Sequence, residues 1–571
     1  MDYSIRIGGE AGQGIQTVGD TLSRVFSRSG YHVFTHQDYE SRVRGGHNFY
    51  QVRVADRQLT AARDRIDILV AFDLDSIAKD AAFVAEQGQI IYDSGALKKK
   101  FDGRQFLDIP FTALSVEHGG SRIMANTVAT GAILGMLGMG LDILLKIISG
   151  TFQKKGEDVI RANVDAATAG YGFAVKECVS CSFSTADKAA QKMLIAGIDA
   201  IGAGALASGC KFYAAYPMTP STGIMNYLAD KAKDYGVVVE QAEDEIAAIN
   251  MALGASFAGV RAMTASSGGG FALMVEGLSL AAMTETPIVI GLGQRPGPAT
   301  GLPTRTEQGE LQFALYTAHG EFPRIIFAPG DPEQAFHLTN KAFDLSEKYQ
   351  VPAFVIFDQY LADTQWSHAG FDLDRLVYTD YRLRSDALTG LSEYKRHAYS
   401  ATGISPMAVP GDSRHVVVTD SDEHDEYGHL IEDAETRVKM IDKRLFRKIP
   451  LIKKEIAPPL FYGDADPEIV LVGWGSTYGV IKEAVGELSG EEKIAMLHFS
   501  EIFPFPDTDV FDYLSLLRNA GKTLCIEQNA TSQFARLMKA ETGFEFSALI
   551  NRYDGRPFTV EALLGELRGK S

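Results

Sequence analysis

Short apolar segments alternate with helical segments along most of the chain, and this alternation constrains the fold more than any other feature. Residues 3–7 predict a buried strand, which a glycine-rich turn and an amphipathic helix to about Ser27 follow. Four more apolar strands come next, with the sequences YHVFT, QVRVA, DILVAF and GQIIYD. Strands that alternate with helices are typical of a parallel, doubly wound α/β unit. We expect the first such unit to end near residue 180.

Two further blocks repeat this pattern. The second contains the apolar segments KFYAAY, VVVEQ, RAMTAS, TPIVIGLG, RIIFAP and PAFVIF. The third occupies residues 456–571 with EIVLVGWGST, KIAMLHF and KTLCIEQN, and the polar residues 366–455 before it predict irregular structure. Glycine- and proline-rich loops follow several strands of the second block. Because ligands of open α/β sheets bind outside the carboxyl ends of the strands, we expect the site there.

Composition narrows the class of protein. A chain of 571 residues is long enough for roughly three or four domains. Its net charge of −18 argues against nucleic acid as the main partner. The sequence has no apolar stretch of about 18 residues that would span a membrane, and its N-terminus enters a strand without the apolar region of a signal peptide. Since it has only four cysteines, we expect a reducing compartment, the cytoplasm.

Two clusters have the composition of a metal site without its spacing. Cys178 and Cys181 form a lone C-x-x-C, whereas a tetrahedral metal or an iron–sulfur cluster would need a second local pair. We therefore expect free thiols near a linker. The acidic run 422–426, with His429, lacks the oxygen spacing and turn glycine of hard-cation loops, and a solvated loop is the expectation. Neither cluster predicts a metal.

The glycine-rich turn after the first strand contains Gly9, Gly12 and Gly14. Such a turn before a helix can place a phosphate on the helix N-terminus, but it also suits glycines that only permit a tight turn. Arg42 and Arg44 follow beside a second pair of glycines and add a candidate anion site. The residues alone do not distinguish an anion-binding site from glycines that only permit a tight turn.

The segment Tyr216–Thr222 of the second block reads YPMTPST. Its two prolines, three residues apart, exclude a helix and a central strand. They fix φ at their positions and stiffen the turn between a strand and a helix. We expect Ser221 or Thr222 to cap the helix that follows.

Ionisable residues stand at two other predicted strand ends of this block. Glu243, Asp244 and Glu245 precede a buried helix, where carboxylates serve the helix dipole or bind a ligand. Arg305 lies in a loop between two threonines, where it can hold a carboxylate by a forked pair of hydrogen bonds or remain an ordinary surface arginine.

Several motifs, in the right order, resemble those of the 2-oxoacid:ferredoxin oxidoreductases. YPMTPST resembles the Tyr-Pro-Ile-Thr-Pro-Ser-Thr motif of the subunit that binds the pyrimidine ring of thiamine diphosphate. TASSGGGF and QRPGPATGLPT resemble its Thr-Ser-Gly-Pro-Gly-Phe turn and its Gln-Arg-x-Gly-Pro-Ser-Thr-Gly-Leu-Pro-Thr loop. GGEAGQG and RVRGGHN look like the gamma unit, whereas DSDEHDEYGH and the last block match the alpha subunit. Met218 replaces the usual isoleucine, and SSGGGF lacks the usual proline.

The resemblance covers essentially the whole chain as a gamma–alpha fusion, the arrangement of the two-subunit enzymes. It implies a multidomain α/β fold with a gamma-type domain at 1–184 and a pyrimidine-binding thiamine diphosphate domain at 185–365. An irregular extension of that domain at 366–455 and a transketolase-C-terminal-like domain at 456–571 would complete it. The implied reaction converts a 2-oxoacid, CoA and oxidised ferredoxin to acyl-CoA, CO₂ and reduced ferredoxin.

The resemblance also implies roles for single residues. Glu245, nine residues before the helix glycine Gly254, matches the glutamate that hydrogen-bonds the pyrimidine N1′, with Glu243 as the alternative. Thr219 and Arg305 match residues that bind the substrate carboxylate. The same site would include Tyr216 for substrate and, for cofactor, Pro217, Ser266, Ser267 and Gly268. The glycine turn and the arginines of the gamma domain would contact CoA or a subunit interface, and these residues are Gly9, Gly12, Gly14, Arg42 and Arg44.

Part of the family's machinery is missing from this sequence. It has no Gly-Asp-Gly for the diphosphate and Mg²⁺, and its four cysteines lack the local spacing of a [4Fe–4S] cluster. The resemblance therefore implies a separate beta subunit with both, an (αβ)₂ heterotetramer, and ferredoxin as the electron acceptor.

The fused architecture favours 2-oxoglutarate as substrate and a reversible reaction of the reductive tricarboxylic acid cycle. Within the family, a pyruvate-specific, indolepyruvate-specific or broad-specificity enzyme is the alternative. Outside it, a nicotinamide-dependent dehydrogenase would use the N-terminal glycine turn, and a non-catalytic assembly or CoA-binding subunit would not need Glu245.

Overall fold

The structure is a computed structural model that describes residues 1–41, 45–178, 183 and 190–569. Contacts divide the chain into two compact units. The first comprises Met1–Ile195, Asp363–Gly370 and Thr559–Ser571, and the second comprises Ala196–Ala362 and Phe371–Phe558. The predicted division into four domains is finer than this and stays a prediction. None of the described helices is long and apolar enough to cross a bilayer.

The strands are numbered in chain order. They are β1 (Asp2–Ala11), β2 (His32–Asp38), β3 (Gly45–Ala55), β4 (Ile66–Ala71), β5 (Val84–Tyr92), β6 (Phe106–Asp108), β7 (Met193–Ala196), β8 (Cys210–Ala215), β9 (Val238–Gln241), β10 (Arg261–Ser267), β11 (Ile288–Gln294), β12 (Ile325–Phe327), β13 (Pro352–Asp358), β14 (Gln365–His368), β15 (Arg382–Leu383), β16 (Met407–Ala408), β17 (Leu460–Gly463), β18 (Ile469–Trp474), β19 (Ile494–Phe499), β20 (Glu501–Phe503), β21 (Lys522–Glu527) and β22 (Ala548–Asn551).

The α-helices are numbered in the same way. They are α1 (Ile15–Arg28), α2 (Leu74–Asp80), α3 (Ser94–Leu97), α4 (Phe111–Gly119), α5 (Ala125–Met136), α6 (Asp142–Phe152), α7 (Glu157–Glu177), α8 (Gly197–Ala207), α9 (Thr222–Tyr235), α10 (Glu245–Phe257), α11 (Gly268–Phe271), α12 (Val275–Met283), α13 (Leu311–Tyr316), α14 (Pro332–Tyr349), α15 (Gln359–Asp363), α16 (Ser385–Thr389), α17 (Ala434–Ile441), α18 (Lys448–Lys453), α19 (Tyr478–Leu488), α20 (Tyr513–Asn519), α21 (Gln533–Thr542) and α22 (Val560–Gly569).

The first unit is built on an eight-stranded sheet with the order β6-β5-β4-β1-β3-β2-β14-β7. Helix α1 packs on it because its apolar residues recur every three or four positions, and Val18, Leu22 and Val25 are completely buried. Strands β1, β4, β5 and β6 are parallel, but β3 runs antiparallel to both β1 and β2.

The prediction of a wholly parallel first unit is therefore wrong for β2 and β3. Only residues 39–44 separate these two strands. A parallel connection needs a crossover of a dozen or more residues, so a link this short forces neighbouring strands to run antiparallel.

The second unit contains a seven-stranded sheet, the central sheet, with the order β20-β12-β13-β11-β10-β8-β9. Strands β8 to β13 are parallel, and β20 is the antiparallel edge strand. Every residue of β10, β11 and β13 is buried, as expected for strands that helices cover on both faces. The strands predicted for the second block are confirmed, and their carboxyl ends meet at one edge of the sheet.

The same unit contains a five-stranded sheet with the order β17-β19-β18-β21-β22. Its strands β18, β19 and β21 are the three that the sequence predicts for the last block. One apolar core joins both sheets and includes Phe271, Phe354, Trp474 and Phe499. The predicted fold class, a mixed α/β multidomain chain, is confirmed.

Residues 434–453, within the region expected to be irregular, are largely helical. This segment places Lys443 and Lys448 against the carboxylate of Glu285, which also lies 3.1 Å from His397 Nδ1. All four side chains are at most 1 % exposed. Although burial opposes ionisation, the two lysines hold the pKa of Glu285 well below its usual range. The cluster fastens these helices to the body of the second unit.

Two local expectations are wrong. The acidic run is not a solvated loop, because Glu423 forms an ion pair with Arg444 and His424 is completely buried. Cys178, at the end of α7, takes part in a disulfide bond, so it is not a free thiol. Cys181 lies outside the described residues.

Candidate active site

The YPMTPST loop leaves β8 at the carboxyl edge of the central sheet and enters α9. The Met218 carbonyl accepts hydrogen bonds from the amide of Ser221 at 2.9 Å and from its hydroxyl at 2.7 Å. Ser221 occupies the N-cap position of α9, but its hydroxyl does not bond a helix amide, so the capping role expected there is wrong. Hydrogen bonds within the loop stabilise it instead. The side chain of Thr219 is partly exposed, and that of Tyr216 is 41 % exposed.

Glu245 begins α10 beside this loop. The N-cap Asp244 accepts a hydrogen bond from the amide of Ala247 at 2.7 Å, which fixes the start of the helix. Glu245 is 3 % exposed, whereas Glu243 is exposed. The hydroxyl of Ser266 donates to Glu245 Oε1 at 3.4 Å. Of the acids before the helix, Glu245 is thus the one whose carboxylate is buried at the sheet edge.

The turn 266–270, from the end of β10 into α11, packs against that carboxylate. A methyl group placed on Gly270 would lie 2.2 Å from Glu245 Oε1 and 2.1 Å from Ser266 Oγ. Glycine is therefore required for this close approach. The hydroxyl of Ser267 is buried and has no hydrogen-bond partner among the described residues. An unpaired buried hydroxyl beside a glycine turn suits a wall that meets a ligand.

Arg295, directly after β11, is a residue that the sequence reasoning did not select. It is 8 % exposed, and its Nη1 donates to the carbonyl oxygen of Thr219 at 2.8 Å. A guanidinium has five N–H donors, so this bond leaves others for a ligand. The available signal was its place in the sequence, since it follows a buried strand and opens the loop QRPGPATGLPT.

Arg305 lies further along the same loop. Its amide donates to Leu302 O at 3.1 Å, and the next amide, of Thr306, donates to Gly555 O at 3.2 Å. A methyl group placed on Gly555 would lie 3.1 Å from Arg305 Cβ. The Cβ of Arg305 thus faces the 555 segment, whereas the Arg295 guanidinium contacts Thr219. The role predicted for Arg305 stays a prediction.

Three further acids surround the ends of β11 and β13. Burial raises the pKa of Asp358 to about 6, while its carboxylate accepts hydrogen bonds from the Leu361 amide and from the Ser476 hydroxyl. Burial also raises the pKa of Glu307, and burial and the Glu307 charge together raise the pKa of Glu310 to about 8. Burial therefore favours the protonated form of these three carboxyl groups.

The glycine turn of the first unit borders a separate cavity of about 340 Å³. Gly12 and Gly14 have φ of +96° and +76°, values that favour glycine. A methyl group on Gly14 would also lie 2.0 Å from Asn126 Nδ2. Gly9 lies in the ladder opposite Asn48. Arg42 and Arg44 lie outside the described residues.

Comparison with known proteins gives two matching family models. "Pyruvate ferredoxin/flavodoxin oxidoreductase" matches residues 4–173, and "Pyruvate flavodoxin/ferredoxin oxidoreductase, thiamine diP-bdg" matches residues 203–443. The 2-oxoacid:ferredoxin oxidoreductase subunit alpha of a Sulfolobus species is 30 % identical over 99 % of this chain and 96 % of its own length. The chain belongs to the 2-oxoacid:ferredoxin oxidoreductase family.

Two other proteins are similar to this 2-oxoacid:ferredoxin oxidoreductase chain. The 2-oxoglutarate synthase subunit KorA of Methanothermobacter thermautotrophicus is 31 % identical over 66 % of this chain and 97 % of its own length. The solved 2-oxoglutarate:ferredoxin oxidoreductase of Magnetococcus marinus, with 2-oxoglutarate, coenzyme A and succinyl-CoA bound, has a TM-score of 0.91 and 31 % identity. That likeness covers 100 % of this chain and 99 % of the solved one.

The family predicted from the motifs is therefore confirmed, and the chain corresponds to the alpha subunit of a 2-oxoacid:ferredoxin oxidoreductase. Its structure gathers Thr219, Glu245, Arg295 and the turn 266–270 at one edge of the central sheet. Glycines at the carboxyl ends of parallel strands, with a buried carboxylate and an arginine, suit the binding of an anionic substrate beside a cofactor.

Proposed function

We propose that the chain is the catalytic alpha subunit of a 2-oxoglutarate:ferredoxin oxidoreductase. The reaction converts 2-oxoglutarate, CoA and oxidised ferredoxin reversibly to succinyl-CoA, CO₂ and reduced ferredoxin, and can run in the CO₂-fixing direction of the reductive tricarboxylic acid cycle. The observation that carries the substrate is the match, over the full chain, to a solved enzyme with 2-oxoglutarate and succinyl-CoA bound. The KorA relative supports the same substrate.

The residues at the sheet edge fit the pyrimidine half of thiamine diphosphate. Gly270 leaves room where a methyl group would meet the Glu245 carboxylate, and the buried Ser267 hydroxyl has no described partner. Glu245 would hydrogen-bond the pyrimidine N1′, while Ser266, already bonded to Glu245, fixes the orientation of that carboxylate. Thiamine diphosphate, when bound, supplies the carbanion chemistry of decarboxylation. Glu245 holds or releases the proton that this chemistry needs at the pyrimidine ring.

Thr219 and Arg295 bind the 2-oxoacid. The bond from Arg295 Nη1 to the Thr219 carbonyl keeps the guanidinium beside the YPMTPST loop, where its free donors can hold a carboxylate. Decarboxylation removes the charge that the arginine binds, so the product leaves this subsite readily. Tyr216, exposed on the same loop, borders the substrate. Positioning of this kind is worth several kcal/mol, roughly 7–11 at its upper range.

A beta subunit completes the site in this proposal. The sequence has no Gly-Asp-Gly for a diphosphate and Mg²⁺, and its four cysteines are not spaced as the ligands of a [4Fe–4S] cluster. Ile246 and Leu273, each 50 % exposed, flank the buried Glu245 and the turn 266–270, and both line a cleft of about 570 Å³. An apolar surface beside half of a cofactor site suits a partner that contributes the other half. Two pairs of this chain and a beta subunit form the (αβ)₂ complex. In the first unit, the glycine turn with Gly9, Gly12 and Gly14 contacts CoA.

Pyruvate or broad 2-oxoacid specificity is the second candidate function. Two curated relatives that cover 99 % and 100 % of this chain are named 2-oxoacid, not 2-oxoglutarate, oxidoreductases. Binding of 2-oxoglutarate needs a site for its second carboxylate, which pyruvate lacks.

The test is coexpression with a partner chain that contains Gly-Asp-Gly and a cysteine set. Viologen reduction would be measured with CoA and either 2-oxoglutarate or pyruvate. We expect kcat/KM to favour 2-oxoglutarate by about 10³-fold or more, because the unused site for the second carboxylate penalises pyruvate. Equal rates would establish the broad-specificity enzyme instead. Activity of this chain alone with NAD would contradict the family function and support a dehydrogenase.

A further inference from the structure

The side chain of Met218 contacts the same hydroxyl group that bonds Glu245. Ser266 Oγ lies 3.7 Å from Met218 Sδ and 3.4 Å from Glu245 Oε1, and it can donate to either atom. A thioether sulfur is a weak hydrogen-bond acceptor. Met218 is also the position at which the loop YPMTPST departs from the family motif, which has isoleucine there.

The Ser266 hydroxyl has one proton for these two acceptors. Ser266 and Glu245 are both buried, and among the described residues no other group donates to the Glu245 carboxylate. The glycine turn closes the space beside them, since a methyl group on Gly270 would lie 2.1 Å from Ser266 Oγ. The hydroxyl therefore has two orientations available to it, one toward the carboxylate and one toward the sulfur.

Two contacts fix the loop that carries the thioether. The Met218 carbonyl accepts hydrogen bonds from the amide and the hydroxyl of Ser221. Pro220 packs on β11, where a methyl group on Gly293 would lie 2.7 Å from Pro220 Cγ. Neither of these contacts involves the Met218 side chain, so that side chain can be changed while both contacts remain.

The two acceptors suit the two protonation states of Glu245. An ionised carboxylate is the stronger acceptor, so the Ser266 hydroxyl then donates to Glu245. When Glu245 holds a proton, its carboxyl group is neutral, and the sulfur of Met218 competes for the hydroxyl. Isoleucine at this position would have a similar volume but no lone pair, and the buried hydroxyl would lose its second acceptor.

We propose that Met218 is a positioning residue that acts through Ser266 on Glu245. Its sulfur accepts the Ser266 hydroxyl while Glu245 holds a proton, and the hydroxyl turns to Glu245 when that proton passes to the pyrimidine N1′. Ser266 keeps its own proton throughout, and no other reactant is required. This inference rests on the proposed function, since that function assigns the proton exchange to Glu245.

The first test compares Met218→Ile, Ser266→Ala and the double variant in the coexpressed complex. Calorimetric titration of thiamine diphosphate with Mg²⁺, into complex from which the cofactor has been removed, gives a Kd without turnover. Glu245 must hold a proton to donate to a neutral ring nitrogen, so the sulfur acts in the bound state. We expect Met218→Ile to raise this Kd and to lower kcat, each by about 2- to 10-fold, the value of one neutral hydrogen bond.

The double variant shows whether Met218 acts through Ser266. In the presence of Ser266→Ala, Met218→Ile should change neither the Kd nor kcat, because the hydroxyl that the sulfur accepts is gone. An equal cost of Met218→Ile with and without Ser266→Ala would overturn the proposal.

The KM for 2-oxoglutarate distinguishes this role from a structural one. Met218 precedes Thr219 in the loop, so a substitution that only disturbed the loop would displace Thr219 and raise KM. We expect KM of Met218→Ile to stay within about twofold of the unmodified enzyme while kcat falls. A rise in KM as large as the fall in kcat would assign Met218 a structural role and overturn the proposal.

Ser221→Ala is the matched control within the loop. It removes the hydroxyl that bonds the Met218 carbonyl and leaves the thioether unchanged. Its effect on the Kd for thiamine diphosphate should be the same with and without Ser266→Ala. Coupling to Ser266 as large as that of Met218→Ile would show that both substitutions act by moving the loop, and would contradict the role of the sulfur.

Met218→Leu is the second variant, since it lacks the acceptor and also the branch at Cβ that isoleucine has. It should reproduce the Kd and kcat of Met218→Ile, with thermal melting to show that each variant is folded. An unchanged Kd and kcat in Met218→Leu would show that the shape of the side chain matters and the sulfur does not.

The outcomes separate this inference from the proposed function. Coupling between Met218 and Ser266 in the Kd, without turnover of any 2-oxoacid, would support the role of Met218 and contradict the proposed reaction. Turnover of 2-oxoglutarate without that coupling would overturn the role of Met218 and leave the proposed reaction in place. Absence of thiamine diphosphate binding would contradict both.

Discussion

At the scale of single residues, two acids two positions apart have opposite environments. Glu245 is buried against the glycine turn and bonded to Ser266, whereas Glu243 is exposed. The difference arises because Asp244 caps α10, so that the residue after the cap turns into the sheet edge. Sequence reasoning kept both as candidates, and burial separates them.

Glu245→Gln is predicted to lower kcat of the coexpressed complex by roughly 10²–10⁴-fold, because the amide cannot exchange the proton that the pyrimidine ring requires. The steady-state rate with 2-oxoglutarate and viologen measures this. Glu243→Gln is the control and should keep kcat within about twofold, since exposed substitutions away from a site have small effects. Equal losses of kcat in both variants would contradict the assignment of Glu245 as the residue that bonds the pyrimidine ring.

The roles of Arg295 and Arg305 in binding the substrate carboxylate can be distinguished by the KM values of two alanine variants. Arg295→Ala is predicted to raise KM for the 2-oxoacid by roughly 10- to 150-fold, the value of about 1.5–3 kcal/mol for a hydrogen bond to a charged group. Arg305→Ala should also raise KM if its predicted role is right, but by less, because the Arg295 guanidinium and not that of Arg305 is bonded to the Thr219 carbonyl in the described contacts. A larger rise in KM for Arg305→Ala than for Arg295→Ala would show that Arg305 is the main ligand of the substrate carboxylate.

At the scale of elements, the turn 266–270 follows β10 and lies against the start of α10. The Glu245 carboxylate of α10 therefore contacts the backbone of this turn at Gly270. This approach is possible because Gly270 has no side chain. The sequence SSGGGF indicates a permissive turn, but three consecutive glycines do not show which of them is required.

Gly270→Ala is predicted to displace Glu245 and lower kcat by about 10²-fold, the usual cost of misplacing a catalytic group by an ångström. Gly269→Ala is the matched control, because a methyl group there would meet nothing nearer than 3.8 Å. The rates of both variants, with thermal melting to show that each is folded, give the measurement. Equal activity of the two variants would contradict the contact.

At the scale of the whole molecule, the second unit exposes apolar side chains, Ile246 and Leu273, next to the proposed cofactor site. Ile246 follows the buried Glu245 and is 50 % exposed. Buried and exposed residues alternate at the start of α10, so in the proposed complex Glu245 would face the cofactor and Ile246 would face the beta subunit.

Ile246→Glu is predicted to weaken association with the beta subunit by about tenfold or more, since it places a charge in an apolar interface. Titration of the partner chain, followed by calorimetry, would measure the Kd. Val510→Glu, at a position that is 85 % exposed, is the control and should leave the Kd unchanged. Unchanged association in Ile246→Glu would place the interface elsewhere.

The sequence by itself determined the family, the strands of the second block, three strands of the last block, and the segments that carry the candidate site. These features depend on local information, namely apolar periodicity, prolines and glycines, and motifs of contiguous residues. It did not determine the direction of β2 and β3, because periodicity reports burial and not strand polarity. It also missed the burial of His424 and the ion pair between Glu423 and Arg444, because both depend on how separate segments pack together.

Only the tertiary structure decided which charged residues meet. Arg295 and Thr219 are 76 positions apart, yet they are joined by a hydrogen bond because β8 and β11 end at the same edge of one sheet. Glu310 contacts Gly268 for the same reason, since its loop returns across that edge. Contacts of this kind depend on the order of strands in the sheet, which a single sequence does not specify.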